Sequence, residues 1–269
     1  MLPIFIAYLL EIAFAKPKWL PNPAVGLSAV IKKAEPYFRR RFKNPKTAGA
    51  ALVLSVIAFV YLSVKFIIWD FSLLGPGLEL LAEALFIYFA LSIKDVKRKL
   101  DELKNILGEA DNEQLIRSRV EIIAENTATD IAGVLFYAFL GGPALVWIYK
   151  ALNILKEKEG WLALKLFWLF DYIPSRICIF LVPLASYACK MGFKKSFKTS
   201  WQAAFAGALR IQLGGLVYHY GLPVHKPYTG EPVNEPNQAH VQKALKLMYA
   251  SSAILMAIMI AINYFWNVL

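Results

Sequence analysis

Ala50-Ala51-Leu52-Val53-Leu54-Ser55-Val56-Ile57-Ala58-Phe59-Val60-Tyr61-Leu62-Ser63-Val64 carries no charged side chain, and with its flanks it makes an apolar stretch over residues 48–69. About 20 consecutive apolar residues carry a helix across the hydrocarbon core of a bilayer, so this stretch predicts a membrane span. Residues 77–93, 131–149, 161–189 and 247–268 read the same way, with a shorter stretch at 2–15. Because backbone polar groups in lipid must be satisfied internally, the pattern predicts an all-α, polytopic membrane helical bundle. Glu11 interrupts the first stretch, which predicts a tilted or interfacial helix. Ala13-Phe14-Ala15 has the small-residue spacing of a cleavage site, but no positive segment precedes it, so retention is expected. Residues 200–217 are apolar but punctuated by Gly207, Gly214 and Gly215. They predict a packed helix near 200–213 and a turn, or a re-entrant element, in place of a full crossing.

Composition agrees. Hydrophobic residues make up 58% of 269 positions, too many for a soluble domain of this size to cover, yet the formal charge is +11. Segments 16–47, 94–130 and 190–246 hold 24 of the 30 Lys and Arg. The positive-inside rule makes these segments cytosolic, and both termini external if all six stretches cross. Arg39-Arg40-Arg41 reads as an orientation signal beside anionic lipid headgroups, and no nucleic-acid partner is expected. Cys178 and Cys189 form neither a disulfide framework nor a pair at metal-ligand spacing. The whole of 1–269 is expected to be one integral membrane domain.

Within the second basic segment, Val96, Leu100, Leu103 and Leu107 recur at helical spacing between charges. Gly108 is a stop signal, Asp111-Asn112 a cap, and Ile116, Val120 and Ile123 continue a second helix. A cytosolic helical hairpin over 94–128 is predicted. Lys97 with Asp101, and Arg117 with Glu121, are expected as solvated pairs on its outer faces.

No Walker-type loop, GxGxxG, GxSxG or HExxH occurs, and His219, His225 and His240 lack the spacing of a standard metal site. The informative residues are polar groups in or beside apolar helices: Glu125, Asn126, Asn153, Asp171 and Arg176. Such groups are costly at membrane depth and usually face a protein cavity. Pro174, between Asp171 and Arg176, removes a helix hydrogen bond and frees carbonyls for the guanidinium. An Asp171–Arg176 structural pair and a ligand-contacting role both stand open.

Five stretches in order carry a resemblance. Lys16-Pro17-Lys18-Trp19-Leu20-Pro21-Asn22-Pro23 is similar to a GDPxxLPHPV segment, and Glu121-Ile122-Ile123-Ala124-Glu125-Asn126-Thr127 to an E-S-x-A-E-N-T signature. Leu140-Gly141-Gly142-Pro143 with Tyr149-Lys150-Ala151-Leu152-Asn153 is similar to GGxxGAxxYKAxNTLDS. Gly160-Trp161 with Ile173-Pro174-Ser175-Arg176 is similar to GWxxARLDDxxNxxPAR. Ala203-Ala204-Phe205-Ala206-Gly207-Ala208-Leu209, then Gln212-Leu213-Gly214-Gly215 and Tyr220-Gly221, is similar to AAMAGALxVxLGG and its sequel. Together they resemble the adenosylcobinamide-phosphate synthase family of cobalamin biosynthesis, CobD/CbiB.

The resemblance implies an ATP- and Mg2+-dependent ligase joining adenosylcobyric acid to aminopropanol phosphate through an amide bond, with a corrinoid as substrate. It implies Glu125 and Asp171 as catalytic residues and Glu125 as the metal ligand. Asn126, Asn153, Lys150, Arg176, Gln212, Gly214 and Gly215 would bind ligand. A homo-oligomer is compatible with this.

Departures from the family pattern point the other way. Lys16 and Asn22 replace an Asp and a His, the paired aspartates fall on Phe167 and Trp168, and a Pro-Glu falls on Trp201-Gln202. Asp171 replaces an Asn, Gly108-Glu109-Ala110-Asp111 replaces a Gly-Arg-Asp, and Lys156-Glu157-Lys158-Glu159 runs straight to Gly160 without an Asp-Ser-Met loop. Hard cations take carboxylate ligands, so these losses remove candidate magnesium donors. The alternative is a catalytically degenerate membrane factor that binds a ligand or partner. It would resemble the AmpE-type proteins, which also place an aspartate shortly before a Pro-x-Arg.

For Glu125, Asn126 and Asn153 to share a site, the chain must turn near Leu140-Gly141-Gly142-Pro143. Gly-Gly-Pro breaks helices, so residues 131–154 are predicted not to form one straight span.

Overall fold

The computed structural model describes every residue except 15, 17–21, 108–111, 157–159, 194–199, 220–221 and 269. In chain order the helices are α1 (Leu2–Ala13), α2 (Pro23–Arg41), α3 (Pro45–Leu73), α4 (Pro76–Ala90), α5 (Asp95–Leu107) and α6 (Glu113–Asn126). A π-helical segment (Thr127–Gly133) leads into α7 (Val134–Leu155), α8 (Gly160–Ala188) and α9 (Trp201–Leu209). Strands β1 (Leu213–His219) and β2 (Leu222–Thr229) precede α10 (Gln238–Val268).

Local chemistry sets the helix starts. Asn22, Asn44 and Asn112 each cap a helix by accepting a backbone amide, and Pro23 and Pro45 follow two of them at the first helical position. Among the described residues, five helical runs are long and apolar enough to cross a membrane: Pro45–Leu73, Pro76–Leu103, Glu113–Leu155, Trp161–Ala188 and Gln238–Trp266. The chain is a multi-pass membrane protein. The stretch read at 2–15 folds as a helix of 12 residues, about 18 Å long at 1.5 Å per residue.

The first compact unit comprises Met1–Leu91 and Gly133–Tyr172. In it α1 packs on α4, α2 on α3, and both α3 and α4 on α7. Val53, Val56, Val60 and Val64 of α3 recur at helical spacing and are buried, while Leu54, Phe59, Leu62 and Phe66 on its other side are exposed. An apolar face without protein cover is what lipid solvates. Trp147 of α7 donates to the carbonyl of Phe86 on α4 at 3.0 Å. The expected break in α7 is present: Gly141 (φ −155°, ψ 22°) and Gly142 (φ 65°, ψ −160°) leave helical geometry ahead of Pro143. The positive φ at Gly142 is one that a side chain would resist.

The second unit comprises Ser92–Ala132 and Ile173–Leu269. Here α6 packs against α5, α9, α10 and β1. Val96, Leu100 and Leu103 of α5 are buried, as their spacing predicts. Gly108 and Asp111 lie outside the described residues, as does the side chain of Leu107, while Asn112 supplies the cap. The segment near 200–213 holds the expected packed helix, α9, and departs from expectation only after it. Its helix ends at Leu209 with Arg210 in the left-handed conformation, and the chain then forms an antiparallel hairpin instead of a turn. A bulge between Leu213 and Gly215 starts that hairpin, with φ of 90° at Gly214 and 77° at Gly215. A Cβ on Gly214 would lie 2.4 Å from the backbone oxygen of Pro227, and one on Gly215 would strike the ring of Tyr228, so close strand packing needs both glycines.

Candidate functional site

The signature helix α6 does not end at Asn126 but widens into the π-helical segment, a distortion frequent at functional sites. Three side chains bond back by one turn across the transition. Asn126 Nδ2 donates to the Ile122 carbonyl at 2.7 Å, Thr127 Oγ1 to Ile123 at 2.7 Å, and Thr129 Oγ1 to Glu125 at 2.9 Å. With its amide nitrogen so engaged, Asn126 presents Oδ1 outward, where Lys99 Nζ of α5 donates to it at 2.7 Å. The same ammonium lies 3.3 Å from Asp130 Oδ2. Asn126 and Asp130 are buried, and Glu125 beside them is half-buried.

Asp130 and Lys99 were not among the expected site residues. Asp130 sits four residues after Asn126 in an apolar context, which is a signal of a shared face. Lys99 reads as an ordinary helix-surface charge, and only the packing of α5 on α6 brings it in.

One turn earlier, Glu121 is buried at 4% exposure. Its Oε1 accepts the Gly214 amide at 2.8 Å and its Oε2 accepts the Lys226 ammonium at 2.9 Å. Ser118 Oγ accepts the Tyr218 amide at 2.7 Å. The face of α6 therefore pins both strands of the hairpin. This corrects the solvated Glu121–Arg117 pair: Arg117 instead meets Glu113 at 2.9 Å and lies 5.7 Å from the centre of the Tyr228 ring. Gly214 and Gly215 are thereby fixed on the hairpin, with Gln212 half-buried just before it.

In the first unit, Tyr149 donates to Asp171 Oδ1 at 2.6 Å. Its ring stacks on Phe167 at 5.9 Å and meets Tyr137 at 5.1 Å, while Tyr137 stacks on Phe170 at 5.4 Å and donates to the Phe170 carbonyl. Lys156 places its ammonium 4.0 Å over the Phe167 ring. The position where an aspartate was expected is thus a buried ring in a four-ring stack, and Trp168 beside it is 69% exposed. Lys150 is buried on the same half of α7 and Asn153 is half-buried. Arg176 is exposed on α8, one turn beyond Asp171 in the second unit. His240 accepts the Asn237 amide at its Nδ1, and His225 is exposed on β2.

Among the described residues, no three His, Cys, Asp or Glu cluster for a metal ion. Magnesium does not demand such a cage, because it takes one or two carboxylates and completes its shell with water and phosphate oxygens. Asn126 and Asp130 offer a hard-oxygen pair of that kind.

The family model described as CobD/Cbib protein matches residues 4–248. The chain is similar to a protein of Clostridium tetani named "Cobalamin biosynthesis protein CobD", with 29% identity over 96% of each chain. A protein of the same name from Clostridium acetobutylicum is 30% identical over 98% of this chain and 99% of its own. One from Geobacter metallireducens is 26% identical over 94% and 93%. No solved structure matches.

Proposed function

Since the chain belongs to the CobD/CbiB family of membrane-bound cobalamin biosynthesis proteins, the adenosylcobinamide-phosphate synthase family, we propose that it joins adenosylcobyric acid to aminopropanol phosphate at the expense of ATP. The observation that carries this reading is the Lys99–Asn126–Asp130 cluster at the π-helical end of the signature helix. Magnesium bound there would neutralise phosphate oxygens during activation of the corrinoid carboxyl group. Asn126 and Asp130, with Glu125 adjacent, would hold it. Lys99 adds a mobile positive charge for the phosphates. The hairpin glycines, clamped by Glu121 and packed close on β2, would fix the start of the hairpin beside the signature helix.

Asp171 has a separate task. A carboxylate that accepts the Tyr149 hydroxyl is held in place by that bond and would take up a proton from the incoming amine. Lys150, Asn153 and Arg176 would orient the anionic groups of the substrates. The test is direct. Purified protein in detergent, given ATP, Mg2+ and both substrates, should form the phosphate-bearing amide with ADP and phosphate released.

The buried Phe167 in place of an acid favours a second reading, in which the chain keeps the fold and binds its ligand without reacting it. Tight corrinoid binding without amide product or ATP turnover would select that reading.

A further inference from the structure

Two oxygens of neighbouring helical turns, Asn126 Oδ1 and Asp130 Oδ2, converge on one nitrogen, Lys99 Nζ, at 2.7 and 3.3 Å. The oxygens belong to buried residues on one helical run, whereas the nitrogen comes from another helix and its side chain is 36% exposed. Asn126 is held by its own bond to the Ile122 carbonyl, so its Oδ1 keeps its aim whether or not Lys99 is there. The amide oxygen is therefore fixed and the carboxylate is buried beside it, while the partly exposed ammonium is the removable part.

We propose that Lys99 is an exchangeable internal cation, holding the Asn126–Asp130 pair when no metal is bound and yielding that position to a divalent cation. A doubly charged ion gains about twice the attraction to the carboxylate that an ammonium does at the same separation. It also uses the amide oxygen as a ligand, where the ammonium gives only a hydrogen bond. Lysine suits this exchange better than arginine, because its compact charge sits on a flexible four-carbon stem and makes no planar two-point lock on a carboxylate. Already partly in water, the displaced head pays little to leave, and it swings toward any phosphate bound to the incoming ion. The phosphate step rests on the proposed function; the cation exchange does not.

The probe is Mn2+ alone, titrated into the full-length protein in detergent, with free metal read by electron paramagnetic resonance. Lys99→Met should bind Mn2+ roughly tenfold tighter than the native chain, since a competing cation is gone. Asp130→Asn should lose the binding. Equal or weaker Mn2+ affinity in Lys99→Met overturns the proposal, as does undiminished binding in Asp130→Asn. A second measurement needs no variant. In the native chain, saturating Mg2+ should raise acetylation of Lys99 by acetic anhydride several-fold, because a head released from its hydrogen bonds to Asn126 and Asp130 is open to the reagent. Unchanged labelling of Lys99 overturns the exchange even if a variant fails to fold. Failure of amide formation with both results intact would sink the proposed activity and leave this site standing.

Discussion

Glu121 and Gly214, 93 residues apart in the chain, are joined by a hydrogen bond of 2.8 Å from the glycine amide to the buried carboxylate. The other oxygen of that carboxylate carries the Lys226 ammonium. One side chain of the signature helix therefore holds both the bulged start of β1 and the middle of β2.

Truncating Glu121 should cost more than truncating Lys226. Glu121→Ala strands a buried amide and a half-buried ammonium, whereas Lys226→Met leaves the carboxylate its amide partner. Breaking a fully buried pair costs about 3–5 kcal/mol, and the partial exposure of Lys226 reduces that to about 2 kcal/mol here. Melting in detergent checks it: Glu121→Ala should unfold at lower temperature than Lys226→Met, and the reverse order would show that the clamp does not hold the hairpin.

Glycine substitutions should separate cleanly by position. Gly214→Ala forces a left-handed φ and a 2.4 Å approach to a backbone oxygen that cannot swing aside. A Cβ in that backbone region costs about 1–2 kcal/mol before the clash is counted. Gly26, exposed inside α2 with nothing near its missing Cβ, is the control. Gly26→Ala should stabilise by about 0.5–1 kcal/mol. Similar melting temperatures for the two alanine variants would contradict the hairpin geometry.

These contacts mark the boundary of what the sequence reveals. Hydropathy alone locates the long spans, because lipid imposes a length and leaves few alternatives. Gly141-Gly142-Pro143 announces the break in α7 because its cause is local, in the backbone of those residues. The hairpin is another matter. Gly214 and Gly215 read as turn residues, and Pro223 and Pro227 argue against a strand, so the pairing is visible only once Glu121 and Ser118 satisfy its backbone amides. Glu121 itself has Arg117 four residues before it, the usual sign of a solvated pair, and nothing nearby in sequence points to Lys226. Asp171 was legible as a polar residue in an apolar helix. Its partner Tyr149, on another helix, was not.

Tyr149→Phe should test the task given to Asp171. The ring stack with Phe167 and Tyr137 stays, and only the hydroxyl donor to the carboxylate is removed. A hydrogen bond to a charged group contributes about 1.5–3 kcal/mol, so melting should fall modestly. If the proposed reaction holds, kcat should drop while the KM for ATP stays near the native value, since Asp171 is assigned to the amine and not to the phosphates. A raised KM for ATP at unchanged kcat would refute that assignment.

The last prediction concerns how the chain threads the membrane. A bilayer core is about 30 Å thick, and α1, with its 12 residues, is about 18 Å long, so α1 should stay on the side where residues 16–47 lie. With five crossings the three basic segments still share the cytosolic face, as the positive-inside rule asks, but the amino terminus joins them and only the carboxyl terminus is external. That differs from the arrangement with both termini outside, which needs six crossings. Single cysteines at Leu2, Lys43, Glu235 and Trp266, all exposed, in a chain with Cys178 and Cys189 changed to serine, distinguish the two. An impermeant thiol reagent added to intact cells should label Trp266→Cys and spare the other three. Labelling of Leu2→Cys with Lys43→Cys still shielded would establish α1 as a sixth span. Labelling of Lys43→Cys and Glu235→Cys would invert the whole orientation and place the Lys99–Asn126–Asp130 cluster on the face without ATP.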